Sequence, residues 1–462
     1  MHLCTQKNFC THWLPSHGFG RNVSLAFIQD HSTLHHVDPR SPHDAFPRTL
    51  RAILVVILVL ICGPALAASS ARAVSGKPSA TPMTFYVVKG TADGCGRGCD
   101  SWIAAEGQID AGAAARFRKF LRQLGDRHLP IYFDSPGGNL EQALAMGAML
   151  REKPVIARVG RTVVTECGFE AQDSEVCIRL KQSGREFHGD VWTRGAMCNS
   201  ACPYLILGAA TREIAPDAVL AVHSPRVVVN FRGGVPTQEM RAKVVERGLE
   251  RADRLLSSYI PKMGAEPGLL VLARTIKFED MHILTREEIA RFGIDRRELA
   301  ETPWKFENNA RGVIGKVAVQ ADSGDKSYRT SLWRLVCFNA DQFELDFQRK
   351  AIANAALATV AISNATPKPL AFSPAQSKLP GAEIWGLRMD RASVRSLAGL
   401  AQLEFTETSQ TPDGQRLAHA VKFSSEGLLG ALDSLLATCP PAKSLATPSV
   451  AMPLASRDSA AK

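Results

Sequence analysis

The sequence shows no internal repeat and no dense run of basic residues, and only one of its apolar stretches is long enough to meet a membrane. The first absence excludes a repeat architecture. The second removes the footprint of a nucleic-acid patch. Even so, 55 basic against 45 acidic residues leave a net charge of +10, a weak pointer to anionic partners when spread over so long a chain. The third excludes a polytopic channel or transporter. What remains is ordinary globular composition, 45% hydrophobic and 22% charged over 462 residues. That is neither a disulfide mini-protein nor a coiled coil, a collagen-like fibre or a disordered chain. The length predicts two or three domains.

The one apolar run, Ala52 to Cys62, comes after Arg48 and Arg51, is broken by Gly63-Pro64 and leads into Ala65-Leu66-Ala67. A basic start, a short apolar centre and an A-x-A site describe a secretory signal peptide over 48–67, cleaved after Ala67. The competing reading is a signal anchor over 52–68, a single helix holding the protein at the inner membrane. Residues 1–47 carry His2, His12, His17, His31, His35, His36 and His43. A metal-binding tail is one reading. A start codon placed too early, with the true start just before Arg48, is the simpler one, and 1–47 contributes nothing to the fold reasoning.

Cysteine usage agrees with export. Setting aside Cys4, Cys10 and Cys62, eight remain: Cys95, Cys99, Cys167, Cys177, Cys198, Cys202, Cys337 and Cys439. An even number after a signal peptide predicts disulfides in an oxidising compartment, periplasmic or extracellular. Spacing favours Cys95 with Cys99 and Cys167 with Cys177. A zinc site of Cys95, Cys99, Cys198 and Cys202 is the rival.

After a linker over 68–81, strand and helix patterns alternate: strands at Thr84–Lys89, Trp102–Gln108, Leu129–Phe133, Val155–Val159 and Val219–His223, and helices over Ala111–Leu124, capped by Asp110, and Leu140–Arg151, capped by Asn139 with Gln142 completing a capping box. The alternation predicts a mostly parallel α/β sheet over 82–305. Polar residues 161–191 read as a disulfide-pinned insertion. Met240–Tyr259 reads as a charged amphipathic helix. After Asn308 the pattern alternates like half-buried strands, giving a smaller β-rich (α+β) domain over 308–440, in which Cys337 and Cys439 lie alone and are expected to pair. The chain ends in a flexible tail, 441–462.

Three segments of the α/β region carry chemistry. Ser135-Pro136-Gly137-Gly138-Asn139 lies between a strand end and a helix start, where glycines leave N–H groups uncovered that can stabilise an oxyanion. Cys198-Asn199-Ser200-Ala201-Cys202-Pro203 opens a helix, since Pro203 fits only in a first turn. Ser200 is therefore either an N-cap or a nucleophile. Ala221-Val222-His223-Ser224-Pro225 puts a histidine at a strand end, the base such a serine needs. A histidine in that place is more often structural.

In this order the segments resemble the Clp protease proteolytic subunit within the ClpP/crotonase superfamily. More closely, C-x-S-A-C, then Gly208 to Arg212 and Val222-His223, resemble the periplasmic ClpP-like proteins of bacteria. Leu284-Thr285-x-x-Glu288 and Phe292-Gly293-Ile294-Asp295 extend the likeness, which covers about 84–300. It implies a ClpP/crotonase-like domain and a serine endopeptidase acting on a peptide or protein without a cofactor. Ser200 then matches the nucleophile and His223 the base, with Gly137 and Ala201 as the oxyanion donors. The family's aspartate would fall on Met281, and Asp280, one position earlier, is the candidate third member. Cys202 and Pro203 stand where small residues are usual, and no lysine is placed to suggest a Ser–Lys pair. The family's rings predict a homo-oligomer. The alternative is a non-catalytic binding or assembly protein of the same fold. A crotonase-type acyl-CoA enzyme conflicts with export.

Overall fold

A computed structural model describes residues 81–229, 236–307, 312–322, 327–352, 354–364, 368–376 and 380–441. The signal sequence or anchor, the histidine-rich start and the tail beyond 441 lie outside the described residues.

The first part of the chain builds strands β1 (Thr84–Lys89), β2 (Ser101–Glu106), β3 (Ile131–Asp134), β4 (Ile156–Val159), β5 (Arg161–Val164), β6 (Phe187–Trp192), β7 (Met197–Asn199), β8 (Thr211–Glu213), β9 (Val219–Val222) and β10 (His282–Ile283). Among them lie helices α1 (Ala113–Leu124), α2 (Leu140–Arg151), α3 (Glu175–Lys181), α4 (Cys202–Ile206), α5 (Gln238–Lys262), α6 (Gly268–Thr275) and α7 (Arg286–Arg291). Seven strands form one sheet in the order β5-β6-β1-β2-β3-β4-β8. The β6/β1, β2/β3, β3/β4 and β4/β8 pairs are parallel, and only β5/β6 and β1/β2 are antiparallel. The mostly parallel α/β sheet is therefore present. A second sheet, β10-β9-β7, stands beside it.

Local chemistry explains most element ends, with two corrections. Asn139 caps α2, its side chain accepting from the Gln142 N–H at 3.0 Å. The reciprocal half of the capping box does not form: Gln142 Oε1 accepts from Ala114 N instead, and the Asn139 N–H donates to Ile109 O. Asp110 does not cap α1 directly. The helix starts at Ala113, while Asp110 accepts from Gly112 N and pairs with Arg116. The 161–191 segment is more than an insertion, because β5 and β6 extend the main sheet and the Cys167–Cys177 disulfide closes the turn between them. Helix α5 buries Leu256, Tyr259 and Ile260 only, leaving Met240 and Leu249 exposed towards its start.

The later part is antiparallel. It contains β11 (Leu299–Glu301), β12 (Lys305–Glu307), β13 (Val313–Ala321), β14 (Tyr328–Asn339), β15 (Gln342–Lys350), β16 (Ala356–Ile362), β17 (Leu370–Ala371), β18 (Ser373–Ala375), β19 (Ala382–Asp390), β20 (Gln402–Gln410) and β21 (Arg416–Ser424). Helices α8 (Arg391–Ala398) and α9 (Leu428–Thr438) complete it. One sheet runs β11-β13-β14-β15-β19-β18, with β12 also on β13, and another runs β17-β16-β20-β21. Trp333, Phe347, Phe405 and Phe423 stack with centroids under 5 Å in four of their pairs, forming an aromatic centre there. This core, from Trp304 to Leu435, is separate from the one built by Met83 to Ile294. All described residues belong to one compact unit, Ala80–Lys462.

Four disulfides are present among the described residues: Cys95–Cys99, Cys167–Cys177, Cys198–Cys202 and Cys337–Cys439. They consume the thiols that the rival zinc site would need, and they point to an oxidising compartment. Among the described residues no helix is long and apolar enough to cross a membrane.

Candidate active site

Strands β7 and β9 pair in parallel, Met197 with Val219, Cys198 with Leu220 and Asn199 with Ala221. Parallel strands leave the sheet at the same end, so the residues just beyond them are brought together. Ser200 comes directly after β7 and His223 directly after β9. The Ser200 N–H donates to Ala221 O at 2.9 Å, prolonging the pairing one step beyond the strand. On the other side of β7 runs the Ser135 segment: Ser135 N donates to Met197 O (2.7 Å) and Asn199 N to Ser135 O (3.0 Å). The three segments singled out in the sequence thus lie side by side.

Ser200 is one of three described non-glycine residues with positive φ, at 60°. The others, Asp93 and Asn354, belong to types that tolerate this region, whereas serine pays about 1 kcal/mol for it. The Cys198–Cys202 disulfide, its Cα atoms 5.1 Å apart, brackets the turn, and both cysteines are fully buried. Helix α4 then starts at Cys202 with Pro203 in its first turn, where the missing N–H costs nothing. Strand, left-handed serine and helix succeed one another, an arrangement that projects a side chain from a sharp turn. Ser200 is half-buried, and its hydroxyl makes no hydrogen bond among the described residues.

Gly137 packs directly on this turn. A methyl group there would stand 2.5 Å from Asn199 O, 2.6 Å from Ser200 Cβ and 3.0 Å from Ala201 N, and its φ of 95° suits glycine alone. Its own N–H donates to Ser135 Oγ at 3.1 Å, inside the fold. The Ala201 N–H makes no hydrogen bond with any described residue. Of the two expected oxyanion donors, then, Ala201 is open and Gly137 is engaged. Ser135, fully buried, is the residue that sequence reasoning passes over, although it opens the S-P-G-G motif.

His223 is 7% exposed, and its Nδ1 has no hydrogen-bond partner among the described residues. The ring meets Phe278 edge-on, centroids 4.8 Å apart, and the Arg226 guanidinium lies 4.1 Å from the centroid of the same Phe278 ring. Burial holds the imidazole below its usual range, opposed by the Ser224 backbone and the charge of Glu279. Asp280 is exposed and makes no hydrogen bond to His223; its N–H donates to Lys277 O. Met281 is 44% exposed. The nearby His282 pairs with Glu288 at 2.8 Å, away from His223. Among the described residues, then, the site holds a serine and a buried histidine, with no carboxylate bonded to that histidine.

Of the other cysteines, Cys95 and Cys99 lie in the loop between β1 and β2, and Cys337 and Cys439 join β14 to the end of α9. No family model matches the chain, and no curated protein matches it.

Proposed function

We propose that this is an exported serine peptidase of ClpP-like type, working in the periplasm by acyl transfer. The observation that carries the reading is the Ser200 turn: a non-glycine residue in left-handed backbone, braced by a disulfide and by strand pairing. Strain of this kind persists only where surrounding structure enforces it, and it gathers at functional sites.

In this scheme His223, neutral because it is buried, accepts the Ser200 hydroxyl proton as the oxygen attacks a peptide carbonyl. The new oxyanion meets the Ala201 N–H. Gly137 adds a second donor if substrate draws its N–H away from Ser135 Oγ. His223 then returns the proton to the leaving amine, and water repeats the sequence to release the acid. With Nδ1 unpartnered, no carboxylate holds the tautomer, so turnover is expected to be slow beside a full triad. Replacing a triad aspartate by a neutral group elsewhere costs about 10⁴ in rate.

The same unpartnered Nδ1 favours a second reading, a binding or assembly protein that keeps the fold without the chemistry. A fluorophosphonate probe separates the two. Wild-type protein is expected to take up the label at one site and Ser200→Ala to take up none. A folded wild-type chain that stays unlabelled rejects the peptidase, as does labelling that persists in Ser200→Ala.

A further inference from the structure

A cavity of about 190 Å³ lies where the α/β part meets the antiparallel part. It exceeds the roughly 150 Å³ cavities that take up benzene, yet its walls are charged. Five cations line it, Arg158, Arg194, Arg297, Lys305 and Lys316, and each is already in an ion pair with a carboxylate. An anion would have to break one of these pairs to bind.

Two carboxyl groups among the lining residues stand outside these ion pairs. Asp217 Oδ1 is buried and has no hydrogen-bond partner among the described residues. The Glu426 side chain makes no ion pair or hydrogen bond with any described residue. Burial raises the pKa of both, outweighing the Thr193 hydrogen bond at Asp217 and the charge of Lys316 near Glu426. An unpaired buried oxygen is costly, and a donor reaching it recovers that cost. The described residues hold no cluster of three metal-binding side chains, which argues against a metal ion as the occupant. Trp192 and Tyr132 also line it, their rings already carrying Lys305 and Arg158, each 5.5 Å from the ring centroid.

We infer that this cavity is a binding site for a small organic ammonium ion, with Asp217 and Glu426 as its acceptors. It is separate from the Ser200 cleft. Arg194 lies just before β7 and Asp217 just before β9, so the cavity flanks the starts of the two parallel strands whose far ends carry Ser200 and His223. The inference stands whether or not Ser200 is catalytic.

The test uses the full mature chain with butane-1,4-diamine as probe. Controls are butane-1,4-diol, which matches its shape without charge, and sodium chloride at equal ionic strength. Calorimetry should show saturable binding of the diamine alone, in the millimolar range or tighter. Asp217→Asn with Glu426→Gln should weaken it at least about tenfold, while the melting temperature without probe shows that the variant still folds. If the double variant fails to fold, each single substitution is measured instead. Ser200→Ala should bind like wild type. No saturable binding, equal binding of the diol, undiminished binding by the acid variants, or loss of binding in Ser200→Ala would each overturn the inference.

Discussion

At the scale of single residues, the site is fixed by backbone conformation more than by side-chain bonds. Gly137 is the sharpest case, because a Cβ there meets the Ser200 turn at 2.5 to 2.6 Å and φ is positive. Gly137→Ala should cost about 2–4 kcal/mol, combining overpacking with left-handed strain, and urea unfolding measures it. A loss below about 1 kcal/mol would mean the turn yields easily. His223 gives a second prediction. Its folded pKa lies below the unfolded value of about 6.5, so the unfolded chain binds more protons as the medium turns acid. Its contribution to stability is complete above about pH 6.5 and is lost as pH falls through that value towards the folded pKa. His223→Gln should flatten the fall in stability between about pH 7 and 5, and an unchanged slope would sink this account. Ser200, Gly137 and His223 can all be read from the sequence, because each sits in a motif whose spacing has a mechanical reason. Phe278 cannot. It is a lone aromatic in a polar stretch, and it is the Ser224 N–H bond to Ile276 O, together with β10 lying on β9, that brings its segment against His223.

Among elements, legibility depends on hydrophobic period and punctuation. Helix α2 is clear because Asn139 caps it, and β1 because its run of buried residues is unbroken. Strands β17 and β18 are not visible. They are two and three residues long, and β18 contains Pro374, tolerated because this strand is the sheet edge. The partnership of β5 with β6 is hidden for a related reason: β5 is only four residues long and does not alternate in polarity, and β6 carries His188, Gly189 and Asp190 in its middle. The turn from β7 into α4 supplies a prediction at this scale. Removing its disulfide with Cys198→Ala and Cys202→Ala opens a very short loop, so stability should fall by only about 2 kcal/mol in the chain-entropy account. Fluorophosphonate labelling should nevertheless disappear, because the covalent brace across Ser200 is gone and only hydrogen bonds and the packing of Gly137 remain to hold the turn. Retained labelling would show that the brace is dispensable.

For the whole molecule, the division into an α/β part and an antiparallel part is legible from the change of period near Asn308. Each part has its own apolar core. The cavity between them is not legible, since its walls come from segments as far apart as Gly94 and Glu426. The Cys337–Cys439 bridge acts at this scale, closing a span of 102 residues. Its removal should cost about 4–5 kcal/mol, over twice the loss for Cys198–Cys202. Labelling at Ser200 should survive where the fold does. Denaturant midpoints for the two double variants decide the order, and the reverse order would reject the loop-closure explanation.

For the exported peptidase proposed above, the bracketed turn also decides when the molecule becomes dangerous to its maker. A chain still on the reducing side of the membrane carries Cys198 and Cys202 as thiols, so its serine is not yet presented. On the peptidase reading proposed above, oxidation after transfer completes the turn, and crossing the membrane becomes the activating step. Chain made without its leader and trapped with an alkylating agent in a reducing cytosol should therefore be silent to the fluorophosphonate, and label there would show that the safeguard does not exist.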